Sequence, residues 1–161
     1  MTISTISRAL RADRMRSPIV REAFDYWHSK CVEGRLPARI DIDPTEIPRV
    51  LPHISLVERD AESGRMRYRL VGSSLVESVG RDPTGRYLDE VYPDFNASPS
   101  KSYREQVFDM GKPSHRIGRP SLRFNKDFYS IERLYLPLAE DGRRVDMVMG
   151  ILIFRLDAID G

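Results

Sequence analysis

Leu36-Pro37-Ala38-Arg39-Ile40-Asp41-Ile42-Asp43-Pro44-Thr45-Glu46-Ile47-Pro48 joins a stiff, extended run to a marked helix start. Asp43 has an N-cap side chain, Pro44 has the fixed φ that suits the first helical position, and Glu46 stands where a capping-box carboxylate reaches back. Pro48 and Pro52 lack the N–H that would prolong the helix, so it must be short. The stretch separates a longer helix upstream from strands downstream.

Upstream, Ser17 as cap and Pro18 just inside open a helix expected to run to about Lys30 or Val32 and to stop at Gly34. Val20, Phe24, Trp27 and Cys31 fall at i, i+4, i+7 and i+11, which places them on one stripe. The stripe has two surfaces to cover, the chain's own sheet and a second subunit, and a helix is wide enough to serve both. These four residues are therefore the expected dimer contact. Residues 1–16 carry Arg8, Arg11, Arg14 and Arg16 with no apolar core or small-residue cleavage site, and read as a flexible lead-in rather than a secretory signal.

Downstream, residues 54–58 and 66–71 have strand character around a turn at 60–64, with Met66, Tyr68 and Leu70 on one face and Arg65, Arg67 and Arg69 on the other. Gly72 ends the hairpin, and Ser74 with Glu77 reads as a second capping box on a short helix that closes at Gly80. Residues 81–98 read as turns and one-turn helices. Ser98-Pro99 then starts a helix with Tyr103, Val107 and Met110 on one face and Gly111 at its end. Three strands follow over 115–124, 128–138 and 145–155, with turns at 125–127 and 140–142. In the last strand both alternating sets are apolar from residue 148, so both faces should be covered. The order predicts an α+β fold, an antiparallel sheet with helices gathered on one side.

Taken in order, Tyr26-Trp27, the Pro37-to-Pro44 segment, Tyr68-Arg69-Leu70-Val71-Gly72, Gly80-Arg81-Asp82-Pro83-Thr84-Gly85-Arg86-Tyr87-Leu88, and Leu136-Pro137-Leu138 before an Asp-Gly turn resemble the landmarks of bacterial single-domain PAS proteins, in particular an alphaproteobacterial subfamily. The resemblance covers roughly residues 22–155. It implies a five-stranded antiparallel sheet in the order 2-1-5-4-3, helices on one face enclosing a ligand pocket, and an N-terminal helix outside that core. The expected division is a lead-in over 1–16, a flanking and dimerisation helix over 17–34, the PAS domain over 35–157 and a tail over 158–161. The implied function is that of a stand-alone sensor or adaptor that binds a small ligand, a signalling partner or both. The fifth strand lies close to the last residue, so the signal is expected to leave through an unidentified signalling partner or through a change in a homodimer.

The expected inward set is Tyr68, Ile117, Arg119, Ile131, Arg133 and Met149 from the strands, with Tyr87, Tyr103 and Val107 from the helical side; strand parity decides each strand residue. Inward guanidinium groups on Arg119 and Arg133 would favour a small anionic ligand, whereas outward ones would meet solvent, Glu132 or Asp127. The cofactor is unknown. The resemblance implies that flavin photochemistry of the PAS type would need a cysteine within residues 80–88, where none stands, and that haem would take its axial ligand from the pocket helix, on which none of His28, His53 and His115 is expected. His28 and Cys31 have metal-like spacing but are only two ligands, so no metal site is expected.

Composition narrows the class further. The 161 residues carry a net charge of +2 and a single cysteine, which forbids an internal disulfide. No apolar run approaches the roughly 20 residues of a membrane span, so a cytoplasmic protein is expected. The basic lead-in has no interleaved aromatics, which argues against nucleic acid. The alternatives are a pure protein-interaction module and a small isomerase or dehydratase using Asp41 or Asp43 with His115 in a curved-sheet cavity. Asp43 is better used as a cap, Asp41 can pair with Arg39, and no nucleophile–base or phosphate-loop motif is present, so a non-enzyme is expected.

Overall fold

Apolar residues at both parities make strands that need cover on two sides, and the computed structural model, which describes residues 12–157, provides it. Strands β1 (Ile54–Arg59), β2 (Met66–Val71), β3 (Ser114–Gly118), β4 (Ser130–Leu138) and β5 (Met147–Arg155) form one antiparallel sheet in the order β2-β1-β5-β4-β3, as the resemblance implied. Helix α1 (Pro18–Lys30) covers one face, here called outer. Helices α2 (Ser73–Val79), α3 (Leu88–Val91) and α4 (Pro99–Met110) cover the inner face.

On the outer face Val20, Ala23, Phe24 and Trp27 of α1 meet Ile54, Leu56, Leu134, Leu136, Met149 and Ile151 of the sheet. Ser17 caps the helix by accepting the Ile19 N–H at 3.1 Å, and Trp27 Nε1 donates to the Pro137 carbonyl at 2.9 Å. Pro137 is tolerated in β4 because β3 pairs only as far as Tyr135, so no partner waits for its missing N–H on that side. Val20, Phe24 and Trp27 are thus buried within the single chain, which corrects their assignment as a dimer contact: the sheet already covers the stripe. Cys31, half-buried beside the same cluster, has its thiol pushed up to about 12 by burial. The expected loose lead-in lies mostly outside the described residues, but its last part is anchored, with Met15 buried in the outer core.

Local differences from the sequence expectation have local causes. Asp43 does cap, accepting the Thr45 N–H at 3.0 Å, yet only one 3-10 turn forms over Pro44–Glu46. Glu46 accepts the Tyr26 hydroxyl at 2.9 Å instead of closing a capping box. The second capping box is also absent, since α2 starts at Ser73 behind Gly72. That glycine is set by a close approach: a Cβ there would run into the Pro52 carbonyl oxygen. A bulge opposite Leu56 and Val57 pairs Val57 with Tyr68 but Leu56 with Leu70, so Leu70 joins the outer core and leaves the face of Met66 and Tyr68. Strand β3 ends at Gly118, ahead of Pro120, rather than reaching 124. Met110 is exposed, because α4 turns Ser100, Arg104, Val107 and Phe108 toward the sheet.

Candidate functional site

Strand β4 organises the site, because all nine of its residues are buried and successive ones face opposite layers. Ile131, Arg133 and Tyr135 face the inner helices, while Glu132, Leu134 and Leu136 face α1. Between Arg133, Tyr135 and helix α4 lies a recess of about 10 Å³, room for one water, bordered by Ser100, Arg104 and Leu152 and by Ser121, Leu122 and Phe124 of the β3–β4 loop.

Arg104 occupies a position that the helix period reserves for an apolar side chain, one turn before Phe108 and one after Ser100. It is 2% exposed, and its guanidinium sits 4.5 Å from the centroid of the Tyr135 ring. Nε and Nη1 are buried without a hydrogen-bond acceptor, and among the described residues no carboxylate pairs with it. Burial works against its charge, but the oxygen-bearing rings of Tyr135, Tyr68 and Tyr92 work for it, and the balance lies above the ordinary arginine value. It therefore stays a cation.

Arg133 brings a second guanidinium to the same recess. Its Nη2 donates to the Arg119 carbonyl at 2.7 Å. Burial holds it below the ordinary value, with the like charge of Arg104 adding to the depression. Nearby, the hydroxyls of Tyr68 and Tyr92 bond at 2.8 Å, and burial pushes both phenols up, so they remain neutral. Two cations, neutral hydroxyls and apolar walls make the inner recess electropositive without a balancing acid.

Opposite this stands a completed cluster. Glu132 accepts the backbone N–H groups of Arg16 and Ser17, each at 2.9 Å, and lies 2.7 Å from His115 Nε2. Burial opposes the Glu132 charge, but these bonds outweigh it and hold its carboxyl below the usual range. His115 is thereby tied to Glu132. Asp41 accepts the Ala38 N–H at 2.9 Å and Asp43 caps Thr45, so the Asp–His pair of the enzyme alternative is not assembled. Asp41 makes that backbone bond rather than an ion pair with Arg39, which donates to the Ile42 carbonyl.

The structure brings part of the expected inward set together. Tyr68, Val107, Ile131 and Arg133 lie on the inner face, and Tyr103 lies half-buried there with the Arg116 guanidinium 3.6 Å from its ring centroid. Four others need correcting. Met149, opposite Leu136, belongs to the outer core, and Ile117, opposite Glu132, shares that face. Arg119 is exposed, its guanidinium 5.4 Å from the Tyr129 ring centroid. Tyr87 bridges to Arg67 on the β2 edge, with Arg65 3.8 Å from its ring centroid.

Arg104, Tyr135 and Ser100 were not anticipated. The signal was available for Arg104, since Arg104 and Phe108 are spaced i and i+4, but an arginine on a helix reads first as solvent-facing. None of His28, His53 and His115 lines the recess, and among the described residues no group of three or more His, Cys, Asp or Glu could hold a metal. Also among the described residues, no helix is long and apolar enough to cross a membrane.

Comparison with known proteins places the chain within a family by sequence: residues 15–153 match the PAS domain. No curated protein matches it. Among solved structures, the PAS domain of the histidine kinase ThkA is 18% identical, with a TM-score of 0.46 over 63% of this chain and 96% of that one. A sensory box sensor histidine kinase from Vibrio cholerae is 17% identical, with a TM-score of 0.48 over 68% of this chain and 87% of that one. A domain of an HTR-like protein from Haloarcula marismortui is 14% identical, with a TM-score of 0.45 over 63% and 96%.

Proposed function

We propose a sensory role from one established premise: the chain belongs to the PAS domain family, matched over residues 15–153. In this reading a small ligand enters the inner recess, and its presence is felt across the sheet by α1. The supporting observation is the pair Glu132 and Arg133. One residue faces the recess, and its neighbour holds the first N–H groups of α1. A ligand that shifts β4 at Arg133 shifts with it the Glu132 carboxylate on which the start of α1 hangs.

Output through protein contact completes the proposal, with the protein placed in the cytoplasm on its composition. Val32 and Ile40, 60% and 89% exposed, border one open groove beside the end of α1 and offer a partner an apolar foothold. A second copy would have to use a surface other than Val20, Phe24 and Trp27. PAS domains are typically sensory rather than enzymatic.

Trp27 is the sole tryptophan and lies on the far side of the sheet from the recess, which makes it the reporter. Native mass spectrometry of freshly purified protein is compared with its denatured mass, and Trp27 emission is recorded before and after any bound molecule is stripped. A non-covalent extra mass whose removal shifts Trp27 emission is the expected result. Emission unchanged on stripping would defeat transmission to α1. A protein with no bound mass would shift the weight toward its protein contacts.

A further inference from the structure

We propose that the inner recess is a binding site for a small aliphatic carboxylate, held by Arg104 and Arg133; the proposal rests on the sensory reading above and names its ligand class. A buried guanidinium without a counter-charge is costly, and one left unsatisfied calls for a water, an ion or a ligand to offset it. Arg104 is in that position, since its Nε and Nη1 find no acceptor and the Tyr135 face supplies only a cation–π contact. Arg133 shares the recess, and its bond to the Arg119 carbonyl leaves its charge unneutralised. Two cations bordering one recess favour a negative charge there.

The rest of the lining selects among anions. Ser100 and Ser121 offer neutral hydroxyls beside the guanidinium groups, enough for one carboxylate but a thin shell for a dianionic phosphate. Leu122 and Leu152 make an apolar wall that suits a short hydrocarbon tail and gives nothing to a bare halide. A planar carboxylate also matches the planar guanidinium fork. The volume of about 10 Å³ admits one water as it stands, so a two- or three-carbon acid must ease the wall outward. The wall that must yield is the part of the β3–β4 connection that supplies Ser121 and Leu122, between the Arg119 carbonyl bonded by Arg133 and the Asn125 N–H bonded to the Ser78 carbonyl; it has no regular structure.

The test is thermal unfolding of the full chain at constant ionic strength in sodium acetate, sodium propionate, sodium chloride, sodium phosphate or neutral propionamide. Propionate at about 100 times its Kd is expected to raise the midpoint by about 5–10 °C, with acetate weaker and the other three inert. Arg104→Met should melt no lower than the parent without ligand and should lose the propionate shift. Should that variant fail to fold, Arg104→Lys keeps the charge, removes the planar fork and should weaken propionate at least tenfold, by about the worth of one good polar contact. The proposal is overturned by no propionate shift, by an equal shift from chloride, phosphate or propionamide, or by a shift that survives Arg104→Met. Propionate binding with unchanged Trp27 emission would keep this site and defeat the sensory transmission. A neutral molecule found in the recess, whose removal shifts Trp27 emission, would overturn this site and keep the sensory transmission.

Discussion

Glu132 and Arg104 are both charged and both almost fully buried, at 1% and 2% exposure, on opposite faces of one sheet, yet their surroundings differ completely. Glu132 is met by two backbone N–H groups and by His115. Arg104 has an aromatic face and two nitrogens with no acceptor. A buried charge with its partners in place belongs to the architecture. One left without them marks a place where folding alone did not settle the electrostatics. The outer face under α1 is therefore read as structural and the inner face as functional.

The largest expected effect tests the outer half of that comparison. Trp27→Ala deletes a fully buried indole and its bond to the Pro137 carbonyl, and should cost about 3–5 kcal/mol in urea unfolding. A loss below about 1 kcal/mol, too small for a buried aromatic, would show that α1 is only loosely seated and that the structural label is misplaced.

Glu132→Ala comes next, at about 3 kcal/mol, because it leaves the Arg16 and Ser17 N–H groups and His115 without their acceptor. It carries a pH signature. The folded carboxyl titrates below the unfolded one, so its contribution is fully present above about pH 4.3 and is lost as pH falls through the folded value. The difference in melting temperature between parent and variant should thus be constant near neutrality and shrink on acidification. A difference that stays constant down to pH 3 would mean that the lost stability comes from side-chain contacts rather than from the charge.

Much of this division could be read from the sequence, and the exceptions share a cause. The stripe of Val20, Phe24 and Trp27 and the two apolar parities of β5 announced a sheet covered twice, because periodicity is a local property of the chain. Ser17, Asp43 and Ser98 announced their caps for the same reason. Inward and outward residues were less legible. Met149 and Ile117 were placed on the wrong side because parity counts from a strand start that sequence locates only to within a residue or two. Leu70 changed faces at a bulge that no residue in the hairpin advertises. Arg104 was missed because its burial depends on a sheet face assembled from distant segments, and residue type, against the helical period that pairs it with Phe108, gives a charged side chain to solvent.

The smallest effect expected probes how closed the inner face is. Tyr68 and Tyr92 share a buried hydroxyl bond, but only Tyr92 lines the recess. Tyr92→Phe strands the Tyr68 hydroxyl in a dry site and should cost about 1–2 kcal/mol, whereas Tyr68→Phe leaves a Tyr92 hydroxyl that can turn toward the recess and should cost about 0.5–1 kcal/mol. The double variant removes both groups and should cost less than the sum, the coupling that a double-mutant cycle in urea reads directly. Equal single costs would mean that the recess gives Tyr92 no second partner, and the inner face would then be as sealed as the outer. With propionate present, the same cycle should keep its asymmetry if the carboxylate sits between Arg104 and Arg133 and lose it if the ligand takes the Tyr92 hydroxyl for itself.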